Sequence, residues 1–211
     1  RNETDYKRVE EQIKKYHLGG LIFFQGNPLK QAELTNRYQN AASTPLLIGI
    51  DGEWGLGMRL DDAFSFPKAI TLGATADPEL IEKMSFEIGK QCKRLGIHIN
   101  FAPDADINSN PKNPVINFRS FGESVSNVTN LSLAYARGLR KANVMGSAKH
   151  FPGHGDTGED SHYALPVLNH TLKHINEVET MPFRALIEDS IASVMIGHLH
   201  VPQLDDSPNT P

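Results

Sequence analysis

Apolar residues along this chain fall into short continuous runs, and amphipathic stretches separate one run from the next. Over 3–16, Tyr6, Val9, Ile13 and Tyr16 recur at helical spacing, and Gly19 and Gly20 end the stretch. The run 21–24 then predicts a short buried strand, and 29–40 a second helix. Pro45 opens a strand over 46–50 that runs into Asp51. Asp77 followed by Pro78 has the form of an N-cap with proline at the first helical position, predicting a helix to about Leu95 that Gly96 closes. A strand over 97–101 follows, then a helix over 124–142 with Val128, Leu131, Leu133, Tyr135 and Leu139 inward. The pattern ends with a strand over 144–148, a helix over 172–187 and a strand over 192–196.

Apolar strands without alternation are expected where both faces of a sheet are covered, and strands separated by helices favour right-handed parallel crossovers. These strands run out into Asp51, Asp104, Lys149-His150 and His198. An open doubly wound sheet gathers ligand groups at one crevice, whereas a (β/α)8 barrel brings every strand end around one mouth. Polar groups at several ends favour the barrel. The fold class expected is therefore α/β, a TIM-type (β/α)8 barrel that is incomplete, with about five strands and its N- and C-terminal strands missing.

The composition fits a soluble globular domain: 211 residues, 39% apolar, 22% charged. A net charge of −4 gives no nucleic-acid footprint, and no apolar run approaches the ~20 residues that span a bilayer. The one cysteine, Cys92, falls on a helix and reads as packing. There is no G-x-G-x-x-G and no G-x-x-x-x-G-K-[ST], so neither a dinucleotide site nor a P-loop is supported. The abrupt start at Arg1 and the polar end at Pro211 suggest that both termini are cut.

The chemistry concentrates in 148–166, A-K-H-F-P-G-H-G-D-T-G-E-D-S-H-Y-A-L-P. A packed core would have to desolvate all of these ionisable groups, so the span reads as a catalytic loop after a strand. Asp160, two positions before His162, can fix its tautomer and leave the other ring nitrogen to exchange a proton near neutral pH; a solvated surface pair is the plainer reading. Lys149 and His150 sit at a strand end and reach one ligand only if the strand twists there. His154 reads as a brace for its loop, through Asp156. A zinc set can be drawn from His150, His154, Asp156 and His198, without a supporting H-E-x-x-H or C-x-x-C. Asp51 either binds hydroxyls or caps the glycines after it. Arg119, between aromatic residues, suits oxygen-rich ligands or pairs with Glu123 to hold its loop. Trp54 stacks on a sugar or covers the rim.

Taken together, I-D-G-E-W-G, N-F-R-S-F-G, K-H-F-P-G-H-G-D-T with D-S-H after it, and V-M-I-G-H-L-H-V-P resemble the catalytic barrel of glycoside hydrolase family 3, in its β-N-acetylglucosaminidase branch. The resemblance covers essentially all of 1–211, read as one partial N-terminal barrel domain. It implies His162 as general acid/base and Asp160 as its dyad partner. It also implies that Asp51, Arg119, Lys149 and His150 hold a non-reducing terminal N-acetylglucosamine. It implies no cofactor and no metal. The expected activity is retaining exo-hydrolysis of N-acetyl-β-glucosaminides, with peptidoglycan fragments as the family-level substrate. Phosphorolysis is an alternative, and so is a sugar-binding fragment without turnover. The partner expected is a carbohydrate, with further fused domains in the parent chain, in a bacterial cytoplasm or in the periplasm or exported.

Two departures stand out. The family's G-G-R after the strand-end Asp and Glu is Trp54-Gly55-Leu56 here, with Arg59 as the nearest arginine. The family nucleophile, an aspartate after the strand that follows H-L-H-V-P, is expected beyond Pro211, and neither Asp205 nor Asp206 matches it.

Overall fold

The computed structural model describes residues 2–159 and 165–207. Five parallel strands form one sheet: β1 (Gly20–Phe23), β2 (Leu47–Ile50), β3 (Ile99–Asn100), β4 (Met145–Phe151) and β5 (Ser193–Ile196). Their spatial order is their chain order, β1-β2-β3-β4-β5, and each neighbouring pair is parallel. Every crossover therefore steps in the same direction. A doubly wound sheet reverses at a switch point and this one does not, so the architecture is that of an incomplete (β/α)8 barrel.

The helices are α1 (Glu3–Tyr16), α2 (Pro28–Ala41), α3 (Ala69–Gly73), α4 (Pro78–Arg94), α5 (Val125–Lys141), α6 (Leu172–His174) and α7 (Met181–Glu188). Asn2, Asn27, Asp77 and Ser124 start the four long ones, each side chain accepting a backbone N–H three residues on. The main core joins α4 and α5 to the sheet: Ile48, Ile50, Ile81, Ile88, Val128, Leu131 and Leu139 have no exposed surface. Each such side chain contributes roughly 1.5–3 kcal/mol by leaving water. Cys92 lies in this core, its thiol pushed up to about 12 by burial, and serves as packing. Among the described residues no helix is long and apolar enough to cross a membrane.

Three elements differ from the sequence pattern. The helix expected over 172–187 is broken. After α6 the chain widens into a π-helical turn, Ile175–Glu179, where the Thr180 N–H donates to the Ile175 carbonyl, and α7 restarts around Pro182. Proline has no N–H and crowds the turn before it, so the ladder cannot run straight through. Regular pairing in β3 is confined to Ile99–Asn100, because the Ala102 N–H turns back to the Asn100 carbonyl and Pro103 has none to offer. The strand then continues irregularly, bridging Asp104 to Lys149. Finally, coverage of both faces holds for residues 48–50 of β2 and 146–149 of β4, but β1 and β5 leave Ile22 and Ile196 48% and 75% exposed.

Candidate active site

The C-terminal ends of the strands surround a cavity of about 610 Å3. Asp51 enters it directly after β2, Lys149 and His150 from the end of β4, and His198 after β5. Arg119 reaches it from a 3₁₀ turn, Asn117–Arg119. Lys149 and His150 both line the cavity although they are consecutive. The pairing of β4 with β5 is irregular between Lys149 and Phe151, and the Lys149–His150 peptide is cis.

Opposite charges interlock on the cavity floor. Lys149, 2% exposed, places its Nζ 2.5 Å from Asp51 Oδ1 and 2.8 Å from Glu53 Oε1. Arg119 donates to both oxygens of Glu53, with Nη2 2.6 Å from Oε1 and Nε 3.1 Å from each. Arg59 donates to the other oxygen of Asp51. Burial raises the Glu53 carboxyl, yet Lys149 and Arg119 outweigh it and hold Glu53 at about 2. Burial likewise opposes the charge on Arg119, and Asp104 and Glu53 overcome it.

A carboxylate pair lies beneath. Past β3, Asp104 and Asp106 are both buried. Burial and the neighbouring Asp106 charge push Asp104 well above the usual carboxylate range. Asp106 shifts the other way: burial opposes its charge, but His150 and backbone N–H groups favour it. It accepts from the N–H groups of His150 at 3.2 Å and His154 at 2.8 Å, and lies 2.7 Å from His150 Nδ1. That contact assigns the Nδ1 proton of His150 to Asp106 and turns Nε2, 3.4 Å from Arg119, toward the cavity.

Backbone clamps set these positions. Asn100 takes the Gly52 N–H and donates to the Gly52 carbonyl, at 2.9 and 3.1 Å, while the Tyr135 hydroxyl of α5 donates to the Glu53 carbonyl at 2.9 Å. Buried Asn113 accepts from the N–H groups of Val115 and Ile116 and donates to the His154 carbonyl at 2.7 Å, so the loop over residues 108–117, rich in Asn and Pro, is fixed against the glycine-rich loop that follows β4. Burial lowers His154 and keeps it neutral, with Nδ1 2.5 Å from Thr157 Oγ1.

The chain matches the glycosyl hydrolase family 3 N-terminal domain over residues 3–211. It belongs to that family. Beta-hexosaminidase A of Pseudoalteromonas piscicida is 41% identical over 94% of this chain and 36% of its own length. Beta-hexosaminidase LpqI of Mycobacterium tuberculosis is 34% identical over 96% of this chain and 53% of its own. The chain thus spans about a third to a half of these relatives. A family 3 beta-N-acetylglucosaminidase from Paenibacillus sp. superposes with a TM-score of 0.91 at 39% identity, covering 96% of this chain and 40% of that one. A structure named beta-glucoside phosphorylase BglX superposes with a TM-score of 0.85 at 29% identity, covering 88% of this chain and 34% of that one.

Against the family pattern, Asp51, Arg119, Lys149 and His150 come together in one cavity. Asp160 and His162 lie outside the described residues. Asp51 does not cap the glycines after it, since Asn100 holds Gly52. Arg119 pairs with Glu53 and Asp104, not with Glu123, because its turn lies over the floor of the cavity. Arg59 does reach the site, through Asp51. Trp54 does not line the cavity; the Lys68 ammonium covers its ring and Phe118 packs at its edge.

His154 braces its loop through Thr157, while Asp156 lies 2.5 Å from His170. Of the residues named for zinc, only His150 enters a ligand-like cluster among the described residues, and it does so with Asp104 and Asp106. That cluster is already committed to the hydrogen bonds above. The other such cluster is His170, His174 and Glu179. Sequence reasoning missed Glu53, Asp106 and Asn113. The spacing of Asp104 and Asp106 on an extended segment was a usable sign, since alternate residues share a face.

Proposed function

We propose that the protein is a retaining exo-acting β-N-acetylglucosaminidase that holds a terminal N-acetylglucosamine in the 610 Å3 cavity. The observation that carries this reading is the interlocked floor. Its cations and carboxylates neutralise one another and still present spare hydrogen-bonding capacity, as a neutral polyhydroxyl ring requires. Lys149 gives hydrogen bonds to Asp51 and Glu53 and keeps a third donor. Both oxygens of Asp51 retain lone pairs for sugar hydroxyls, and His150 offers Nε2. The relatives named beta-hexosaminidase support N-acetylhexosamine as the glycone.

In this reading His162 protonates the leaving oxygen while the family's downstream aspartate attacks the anomeric carbon. His162 then activates water against the glycosyl-enzyme, and Asp160 keeps the ring oriented. The full-length protein should hydrolyse aryl N-acetyl-β-glucosaminides with retention, read by NMR of the first-formed anomer. His162→Ala should slow substrates with poor leaving groups far more than activated ones. Equal losses on both would remove His162 from the acid role, and an inverted product would remove the covalent intermediate.

A second reading, phosphorolysis, is favoured by the similarity to the structure named beta-glucoside phosphorylase BglX. Release of a sugar 1-phosphate in phosphate buffer, in place of free sugar, would establish it.

A further inference from the structure

Against the glycine-rich loop, at Gly153 and Asp156, a second set of ionisable groups has no place in the mechanism above. Glu179 closes the π-helical turn with no exposed surface, and neither of its carboxylate oxygens accepts a hydrogen bond among the described residues. Leaving a carboxylate so placed costs free energy that a partner would recover. His174 lies beside it, with Nε2 3.4 Å from Oε1 and also without a hydrogen bond among the described residues. The His174 ring stacks on His170 at 4.0 Å between centroids. One ligand atom from each of these residues falls within a common 4.8 Å.

We propose that His170, His174 and Glu179 form a structural zinc site, with Asp156 orienting His170. Two ligands on a tetrahedral zinc, each ~2.0–2.1 Å from the metal, stand roughly 3.3–3.4 Å apart. The His174–Glu179 separation of 3.4 Å already has that value without the contact being a hydrogen bond. His170 Nε2 lies 2.5 Å from Asp156 Oδ2, too close for two ligands of one ion. That is instead the contact of an imidazole whose Nε2–H is held by a carboxylate, which leaves Nδ1 as the nitrogen to take the metal. Two imidazoles and one carboxylate suit zinc and disfavour magnesium and calcium, which take oxygen ligands. His170 and His174 are partly exposed, with side chains 27% and 37% accessible, so the ion has a route in and room for water as the fourth ligand.

The local fold is arranged around this carboxylate. The π-helical turn sets Glu179 inward, and Gly153, at φ +140, makes room for it, since a Cβ there would lie 2.5 Å from Glu179 Oε2. In sequence, Asp156 precedes residues 160–164 and His170 follows them. A bound zinc therefore ties together the two flanks of the segment in which Asp160 and His162 lie.

The test is zinc content and affinity of the full-length protein after chelation and dialysis against micromolar free zinc. Wild type should retain one zinc per chain at this site and melt at a higher temperature with zinc than without. Half-exposed His174→Gln, which leaves the core intact, and Asp156→Asn should each weaken binding at least tenfold and reduce the zinc-dependent shift. No retained zinc in the wild type, or equal zinc in wild type and His174→Gln, would overturn the proposal.

Discussion

Two clusters of ionisable residues flank the glycine-rich loop, and they are built on opposite plans. On the cavity floor, the buried charges of Glu53, Lys149 and Arg119 each meet opposite ones at hydrogen-bond distance, and the cluster rests on the main core through β2, β3 and β4. Beside the π-helical turn, the Glu179 carboxyl is buried without a hydrogen bond among the described residues, on a small satellite core of Leu168, Ile175, Leu199 and Val201. The floor reaches charge balance from its own residues and is preorganised before any ligand arrives. The second cluster has no such internal balance among the described residues. A buried charge network thus reports on preorganisation, and a buried unpaired carboxylate reports on a missing partner.

The largest effect should come from unbalancing the floor. Lys149→Met leaves Asp51 and Glu53 facing each other without their shared cation. Breaking a buried pair in this way costs about 3–5 kcal/mol, readable by urea denaturation, and should abolish turnover in the full-length protein. If the variant stays as stable as wild type, the floor is not preorganised as described.

Acid should attack the floor through the same pair. Burial works against the Glu53 charge, but Lys149 and Arg119 lower the carboxyl from 4.5 to about 2. The stability this gives is present above pH 4.5 and is lost as pH falls toward 2. It amounts to about 3 kcal/mol. Stability measured between these limits should fall less steeply with acid in Glu53→Gln than in wild type.

Arg119→Lys keeps the charge but loses the two-pronged contact with Glu53. A loss of about 2 kcal/mol is expected, with a fall in kcat/KM. Gly153→Ala probes the other cluster: its φ of +140 and the nearness of Glu179 make a Cβ costly, by about 1–3 kcal/mol in a thermal melt. The smallest effect should come from a site outside both clusters. Asp77→Ala removes the N-cap of α4 and should cost about 1 kcal/mol, with kcat/KM unchanged.

The sequence pattern located the strands and long helices because their signals are local. Asp77-Pro78 began α4 where expected, and the 124–142 pattern became α5 within a residue at each end. The break near Pro182 was readable as a proline, but the π-helical turn before it depends on where Glu179 packs, which is a tertiary matter. The site was legible in the same uneven way. Asp51, Arg119, Lys149 and His150 could be named because they stand in motifs. Glu53 could not, since its position in Asp-Gly-Glu shows nothing of the two cations it meets from 66 and 96 residues further along the chain. The Glu123 alternative for Arg119 fails for the same reason: Glu123 is near in sequence, whereas Glu53 is near in space.

The hydroxyl of Tyr135 carries a lesson for protein engineering. It reaches from a helix on the outside of the sheet to the Gly52 and Glu53 carbonyls, at 3.2 and 2.9 Å. A chimera that imports only the loop after β2 from a relative would place a foreign loop on a native phenol, or lose that support altogether. The transplantable module is the loop together with α5, two stretches of chain far apart in sequence that must travel as one part.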